Sequence, residues 1–334
     1  MPISAKKCWS LISDHKKEKD DKVDFAHITV LLSEAVDALL PERGGVFVDC
    51  TAGGGGHSEA ILKRLPEGSR LISLDRDDRA IQRCRERLAP YGEASTVVKT
   101  NYSEIGDVLD ELGIDKIDGV LWDLGVSSVQ LDERERGFSY SQDAPLDMRM
   151  DRSGGKTAAD VVNTYSEAEL CRVIRDWGEE KFFSRIAAAI VARRAEKPIE
   201  TTLELSDIVT NAIPAGARKK ENQHPAKRTF QAIRIEVNDE LTIIEPALRT
   251  AVERLAKGGR AAVITFHSLE DRITKHTFKD LENPCTCPSS FPVCVCNKKA
   301  SVKSVTRKPI LPSDEELEFN PRARSAKLRV VEKL

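Results

Sequence analysis

Three aspartates stand where they could do chemistry, each at the end of a short run of apolar residues: Asp49, Asp75 and Asp123. Four consecutive glycines, residues 53–56, follow the first of them closely. Glycine lets the backbone approach a ligand, and the N-terminus of a following helix offers N–H groups to an anionic group. Carboxylates at strand ends accept hydrogen bonds from ribose hydroxyls or from an ammonium group. These residues together predict a site for a nucleotide-containing cofactor.

The glycine loop favours one class of cofactor over another. A dinucleotide fingerprint requires Gly-x-Gly-x-x-Gly, but after Gly53 and Gly55 the third glycine is replaced by Ser58. The order from Asp49 through Thr51 to the glycines is closer to the acidic-x-Gly-x-Gly-x-Gly loop of S-adenosylmethionine enzymes, with threonine in place of the first glycine. We therefore expect S-adenosyl-L-methionine as the cofactor, and an NAD-dependent dehydrogenase of Rossmann type stays the alternative.

Alternating strand and helix patterns explain how these residues would be brought together. Strands are predicted at residues 46–48, 70–74, 95–99 and 118–122, with helical patterns directly after the first and the second. This alternation predicts a parallel, doubly wound α/β sheet, with ligands bound beyond the carboxyl ends of its strands. Tyr102, after the third strand, would reach the same edge, where its ring could lie against adenine or simply pack.

Capping residues give the ends of several predicted helices. Ser33 is predicted to cap a helix over residues 34–40, and Asp77 to cap the helix after the second strand. Asn238 is predicted to cap a long helix that reaches Lys257 and stops at two glycines. Strands at residues 260–266 and 326–331 would complete the sheet, the last as an antiparallel edge strand.

The pattern between the fourth strand and residue 228 is helical. Capping boxes at Ser166 and Thr201, each with glutamate three residues later, open two helices, and an apolar-faced helix spans residues 181–194. We interpret residues 137–228 as an inserted all-helical domain that recognises the substrate. The methyltransferase-like core would then be residues 25–136 and 229–334.

Composition and charge limit the classes of protein. The chain has 334 residues, is 32% charged and carries a net charge of −2, and no apolar run approaches the roughly 20 residues of a membrane span. The charged residues 1–24 predict a disordered, cytoplasmic tail rather than a signal peptide. Basic residues concentrate at 218–234 and 297–334, as expected if one face holds a polyanion, although a solvated lysine-rich surface is the simpler interpretation of either patch alone.

Eight cysteines fall into two groups. Single cysteines at positions 8, 50, 84 and 171 are expected to be reduced thiols. A Cys-rich loop, residues 285–296, carries two Cys-x-Cys pairs, formed by Cys285 with Cys287 and by Cys294 with Cys296. These pairs could bind zinc, although Cys-x-x-Cys is the usual spacing, or could be reduced or redox-labile thiols. We assign no metal to the reaction site.

Long sequence blocks resemble the bacterial small-subunit ribosomal RNA methyltransferase H family, also called the MraW family. They include the segments beginning at His27, Asp123, Arg136, Gly178, Thr229, Phe266 and Asn320, together with Gly-Gly-His-Ser ending at Ser58. The resemblance runs from about residue 25 to the C-terminus. It implies a class I, Rossmann-like methyltransferase with an inserted helical domain, which methylates the N4 amine of a cytidine in the decoding centre of 16S rRNA.

The resemblance also implies roles for single residues. Gly55, Gly56 and His57 would hold the methionine end of S-adenosylmethionine, Asp75 the ribose and Tyr102 the adenine, and Asp123 and Gln130 would complete the set. As phosphate partners for the RNA we expect Arg228, Arg234, Arg322 and Arg324.

The catalytic proton acceptor stays unassigned. Many amine methyltransferases carry an Asp/Asn-Pro-Pro-aromatic loop after the fourth strand, but the residues here are Asp123-Leu-Gly-Val. His267 could act as a base, but a structural histidine is the simpler interpretation. We expect a cytoplasmic enzyme, monomeric or homodimeric, that acts on 16S rRNA or the small ribosomal subunit without membrane contact; the third hypothesis is a non-catalytic RNA-binding protein.

Overall fold

A computed structural model describes residues 29–127, 130, 133–219, 223–288, 293 and 295–334. The tail predicted for residues 1–24 lies outside these residues, as do Cys8 and Cys294. Across the described ranges, no helix has both the length and the apolar character that crossing a membrane requires.

Seven strands of the described chain form one sheet. They are β1 (Val46–Asp49), β2 (Arg70–Asp75), β3 (Ser95–Lys99), β4 (Ile117–Asp123), β5 (Leu255–Thr265), β6 (Val302–Ser304) and β7 (Lys327–Lys333). Their order is β3-β2-β1-β4-β5-β7-β6. Strands β1 to β5 are parallel, and β7 is antiparallel to both β5 and β6. The predicted α/β class and mostly parallel sheet are confirmed.

The described helices surround this sheet and fill the segment between β4 and β5. They are α1 (Leu32–Leu39), α2 (Gly56–Leu62), α3 (Asp78–Leu88), α4 (Ile105–Glu111), α5 (Ala158–Thr164), α6 (Glu167–Asp176), α7 (Phe183–Glu196), α8 (Thr202–Ala212), α9 (Ala215–Arg218), α10 (Lys227–Asn238), α11 (Ile244–Arg254), α12 (Ser268–Glu282) and α13 (Asp314–Phe319). Both predicted capping boxes, at Ser166 and Thr201, are present.

Alternating side chains of the strands fill two cores, one on each face of the sheet. In β1, Phe47 packs with α1, α2 and α3, whereas its neighbour Val48 packs with α4, α11 and α12. In β4, Leu121 belongs to the same core as Phe47, and Trp122 belongs to the same core as Val48. Because both faces are covered, these strands are apolar almost throughout, which is why the sequence revealed them. A third core lies among helices α5 to α10 and contains no strand of the described chain.

Three predictions about helix ends and one about the position of a strand in the sheet were wrong, and contacts with distant residues explain them. Ser33 lies inside α1, which is entered through Leu31, whose N–H donates to Glu316 Oε1 at 3.0 Å. Asn238 ends α10 instead of opening a helix, since its side chain donates to Met148 O at 2.7 Å and accepts from Met150 N at 2.8 Å.

The other two errors concern the end of the sheet. The helix predicted to reach Lys257 ends at Arg254, and both glycines lie within β5, where the pairing with β4 shifts. A Cβ at Gly259 would stand 2.9 Å from two backbone oxygens, so only glycine fits this shift. Strand β7 is antiparallel as predicted but internal, because β6 pairs with its outer side.

Candidate functional site

The three aspartates meet at one edge of the sheet. Asp49, Asp75 and Asp123 are the last residues of β1, β2 and β4, and β1 lies between the other two strands. A cavity of about 830 Å³ opens at this edge, within the size range of ligand sites. Six of the residues predicted to bind the cofactor line it: Gly56, His57, Asp75, Tyr102, Asp123 and Gln130. Gly55 does not line it but precedes α2 with φ of 78°, a conformation that favours glycine.

Asp49 lies under the glycine loop and holds it in place. Its Oδ1 accepts from Thr51 N at 3.2 Å, and its Oδ2 accepts from Ser58 Oγ at 2.7 Å. The side chain is fully buried, and burial raises the pKa of this carboxyl to about 6 despite both hydrogen bonds. Asp49 therefore shapes the loop and does not line the cavity.

Asp75 connects the glycine loop to the start of α3. Its Oδ2 accepts from Gly53 N at 2.8 Å and its Oδ1 from Asp77 N at 2.9 Å. Burial raises its pKa, while these two hydrogen bonds act in the opposite direction. Because each carboxylate oxygen has two acceptor positions, one on each oxygen can still accept from a ligand that enters the cavity. This arrangement suits a vicinal diol such as that of ribose.

Asp123 has an acceptor that no described residue satisfies. Its Oδ1 is buried and has no hydrogen-bond partner in the described chain. Its Oδ2 lies 3.7 Å from Nδ1 of His57, whose Nε2 donates to Val30 O at 3.1 Å. Burial, with the negative charges of Asp49 and Glu270, raises the pKa of Asp123 well above its usual value. A cationic ligand group beside Asp123 would satisfy this oxygen and favour its ionised form.

Tyr102 and Gln130 reach the cavity in different ways. Tyr102 follows β3 and is half-buried, with its hydroxyl donating to Glu240 O at 3.4 Å, so its ring forms part of the wall. Gln130 uses its amide within the protein, because Nε2 donates to Asp77 Oδ2 at 3.0 Å and Oε1 accepts from Ser127 N at 3.0 Å. The role of Gln130 visible here is to hold the segment after β4.

Asp77 is the centre of a buried cluster that sequence patterns did not reveal. As predicted, it caps α3 by accepting from Arg79 N at 3.0 Å. It also accepts from Arg136 at 2.7 Å, and the two side chains are each only 3% exposed. Burial opposes ionisation of Asp77, but the hydrogen bonds from Arg136 and Gln130 hold its pKa below the usual value. No local spacing predicts this pair, since its members are 59 residues apart.

Another part of the cavity wall contains Arg234, which was expected to contact phosphate, together with residues for which the sequence predicted no role. Gln231 and Arg234 of α10, Glu240 after it and Phe266 after β5 all line the cavity. Arg234 donates from two nitrogens to both carboxylate oxygens of Glu240, each at 2.9 Å. A bidentate pair of this kind fixes a side chain, so the contacts of Arg234 within the protein hold this wall together.

His267 lines the cavity and also caps a helix. Its Nδ1 accepts from Glu270 N at 3.4 Å, and Glu270 Oε2 accepts from His267 N at 3.1 Å, which forms a capping box at the start of α12. Glu270 is buried, which opposes ionisation, but the proximity of His267 lowers its pKa below the usual value. The structural interpretation of His267 is thus the one that its contacts support.

The remaining arginines expected to contact RNA lie around this cavity or on the surface. Arg322 lines the cavity and Arg324 is exposed two residues later. Arg228 is 37% exposed, with a nitrogen 3.9 Å from Glu180 Oε2.

Comparison with known proteins agrees with the resemblance seen in the sequence. The pattern of the MraW methylase family matches residues 24–334. A protein of Brevibacillus brevis with the name Ribosomal RNA small subunit methyltransferase H is 56% identical over 312 residues, which cover 93% of this chain and 99% of that protein. Proteins of the same name from Clostridium botulinum and Carboxydothermus hydrogenoformans are 56% and 55% identical over the same length and cover 93% of this chain. The chain belongs to the MraW methylase family.

Proposed function

We propose that this chain is an S-adenosylmethionine-dependent methyltransferase that methylates the N4 amine of a cytidine in the decoding centre of 16S rRNA. The main support for this proposal is that the glycine loop, Asp75 and Asp123 line the same cavity. The names of the relatives, which designate methyltransferases of small-subunit ribosomal RNA, support the choice of substrate.

The residues of the cavity suit the ribose, the adenine and the charged amino-acid end of the cofactor. Asp75 offers two oxygens to the ribose hydroxyls, and Tyr102 offers an aromatic face to the adenine. Gly56 and His57 at the start of α2 lie where the methionine carboxylate would be held, and Asp123 offers its unsatisfied oxygen to the ammonium group. Bound S-adenosylmethionine would supply a methyl group carried on a sulfonium.

The target amine imposes a second requirement on the site. The lone pair of the cytosine amine is conjugated with the ring, so side chains must orient the amine and accept its proton during in-line transfer. The base must also leave its stack, which is least costly in single-stranded or loosely paired RNA. A volume of about 830 Å³ leaves room for such a base beside the cofactor. The wall from α10, with Gln231 and Lys227, would face the base.

The RNA would approach from the side of α10 and the C-terminal segment. Arg322 lines the cavity, Arg324 is exposed next to it, and Arg228 is partly exposed near the start of α10. We assign these three arginines to phosphate contacts, and the helical residues 137–228 to substrate recognition. With this substrate, the enzyme would work in the cytoplasm on rRNA or on small subunits.

Methyl transfer to unmodified small subunits tests the reaction directly. The purified chain is incubated with labelled S-adenosylmethionine and with subunits or 16S rRNA that lack the modification, and the product is located by base-resolved mass spectrometry. We expect one N4-methylcytidine in the decoding centre. A methyl group on another base, or RNA binding without transfer, would refute the proposal; tight NAD binding without binding of S-adenosylmethionine would favour the dehydrogenase.

Salt dependence tests the RNA side separately. Arg324→Ala should weaken rRNA binding and make the negative slope of log K against log salt shallower by about 0.7, the value for one phosphate contact to a single strand. Arg64→Ala is the matched control, because it removes the same charge from an arginine that follows α2 and pairs with Asp37 and Glu42. Equal slopes for Arg324→Ala and the control would remove Arg324 from the interface.

A further inference from the structure

The Cys-rich loop between α12 and β6 brings three sulfur atoms together outside the cavity. The Sγ atoms of Cys285, Cys287 and Cys296 all lie within 4.8 Å of one another. Cys294 is outside the described residues. Since none of the three lines the cavity, the cluster is separate from the methylation site.

The spacing of the sulfurs fits ligands of one metal ion. Two thiolates bound to tetrahedral zinc at about 2.3 Å are separated by about 3.8 Å. Cys285 Sγ and Cys296 Sγ are 3.8 Å apart, far beyond the roughly 2.05 Å of a disulfide bond. The Sγ of Cys287 lies within 4.8 Å of both other sulfurs. It would therefore have to move by no more than about 1 Å to reach the separation of about 3.8 Å that one zinc ion requires.

Backbone geometry around the cluster also suits bound thiolate. The N–H of Val295 donates to Cys287 Sγ at 3.3 Å, and such hydrogen bonds from the surrounding shell orient metal ligands and stabilise their charge. Lys298 and Lys299 follow within three residues of Cys296 and are exposed, so they can offset part of the negative charge of three thiolates.

The base of the loop is already closed by hydrogen bonds. Ser301 N donates to Leu281 O at 2.9 Å, and Ser304 donates to the carboxylate of Glu282 from both its backbone N–H and its hydroxyl. Beyond this base, Val293 and Val295 are 70% and 65% exposed, so these two described apolar residues add little packing to the loop. A metal cross-link is a common way to hold such a small, poorly packed segment in one conformation.

We propose that Cys285, Cys287 and Cys296 bind a structural zinc ion. Each thiol gives up its proton to solvent as its Sγ–Zn bond forms, so the affinity rises with pH. The described chain supplies no fourth histidine, cysteine or acidic ligand within this group, and the fourth position is taken by a ligand from outside it. Sulfur ligands select zinc over magnesium or calcium, and the ion would fix the loop that leads into the basic C-terminal residues.

Metal content of the full chain tests this site. The protein is purified without a metal-binding tag, under reducing conditions, and its metals are measured by inorganic mass spectrometry. Wild type and the control Cys171→Ser, which changes a half-exposed cysteine of α6, should each hold about one zinc per chain, and the triple variant Cys285→Ser/Cys287→Ser/Cys296→Ser almost none. Cobalt substitution should give a sulfur-to-cobalt charge-transfer band that weakens by about a third in each single serine variant.

Independent readouts separate this site from the proposed methylation. All variants should keep the affinity of wild type for S-adenosylmethionine, because the cysteines lie outside the cavity, and circular dichroism reports whether the triple variant folds. If the triple variant fails to fold, the single serine variants and their cobalt spectra decide. Wild type without zinc, even after zinc is offered, would overturn the proposal. So would unchanged zinc in the triple variant, or copper or iron in place of zinc.

Discussion

Replacing Asp75 with alanine should weaken cofactor binding more than any other single change at the sheet edge. In the structure its two oxygens accept from Gly53 N and Asp77 N at 2.8 and 2.9 Å and keep one acceptor position each for a ligand. Hydrogen bonds to a charged group contribute about 1.5–3 kcal/mol each. Water can partly replace the lost carboxylate, so the loss of both hydrogen bonds should weaken the binding free energy of the cofactor by about 3 kcal/mol, which raises Kd roughly 100-fold.

The same substitution also removes an internal acceptor, and this second effect must be separated from the first. Gly53 borders the cavity, so water can replace the carboxylate there, but Asp77 is buried and its N–H is left without this acceptor. We therefore expect a loss of about 1–3 kcal/mol in the free energy of unfolding. Asp78→Ala is the matched control, since this neighbouring carboxylate is largely exposed and pairs with Lys99. It should leave cofactor binding unchanged within about twofold.

Calorimetry with two ligands distinguishes the ribose contact from a loosened loop. S-adenosylhomocysteine should lose about 100-fold in affinity for Asp75→Ala, whereas its 2′,3′-dideoxy analogue should bind wild type and variant with nearly equal affinity. If the variant weakens both ligands equally, Asp75 acts through the glycine loop. If it weakens neither, our assignment of the ribose is wrong.

Three further substitutions test the surroundings of the site. Asp49→Asn should raise the free energy of unfolding at pH 8 by up to about 3 kcal/mol relative to wild type and leave it similar at pH 4. The reason is that the pKa of Asp49 is raised from 3.8 to about 6 in the folded state. The protonated carboxyl therefore stabilises the folded state below pH 4, and this stabilisation is lost as the pH rises through 6. Arg136→Met should destabilise the fold by about 3–5 kcal/mol in urea unfolding, since it leaves Asp77 charged and buried. Tyr102→Phe should keep cofactor affinity within about twofold, whereas Tyr102→Ala should weaken it about tenfold by removing the aromatic wall.

Each of these predictions has a result that contradicts it. Parallel pH profiles for wild type and Asp49→Asn would mean that Asp49 does not titrate in this window. The added change Asp77→Asn should restore part of the stability lost by Arg136→Met, and no recovery would place the damage elsewhere. Equal losses for phenylalanine and alanine at Tyr102 would make its hydroxyl, not its ring, the important group.

Most of the sheet could be predicted from local sequence, for a physical reason. Strands buried on both faces are apolar along their whole length, and each ends at a polar residue that reaches the ligand edge, as in β1 and β2. The errors arose where distant residues decide the backbone. Asn238 is a good helix cap by type, but bonds to Met148 and Met150, about 90 residues away, use its side chain at the end of α10.

The site shows the same division between local and distant information. The acids at strand ends and the glycine loop were predicted together because parallel strands bring their carboxyl ends to one edge. The partners of the other polar groups were not predictable, since the bond between Gln130 and Asp77 spans 53 residues and the pair of Arg234 with Glu240 follows no helical spacing. For this reason the sequence selected Gln130 and Arg234 by type, while the structure shows both engaged within the protein.

The internal position of β7 has a consequence for how the chain matures during translation. Although β7 follows β5 and β6 in the described chain, it lies between them and pairs with both. Glu316, in α13 shortly before β7, also accepts a hydrogen bond from Leu31 N at the entrance of α1. A nascent chain therefore cannot complete this sheet until residues 327–333 have left the ribosome, and products that lack these residues should be cleared by proteases instead of persisting as partly active enzyme.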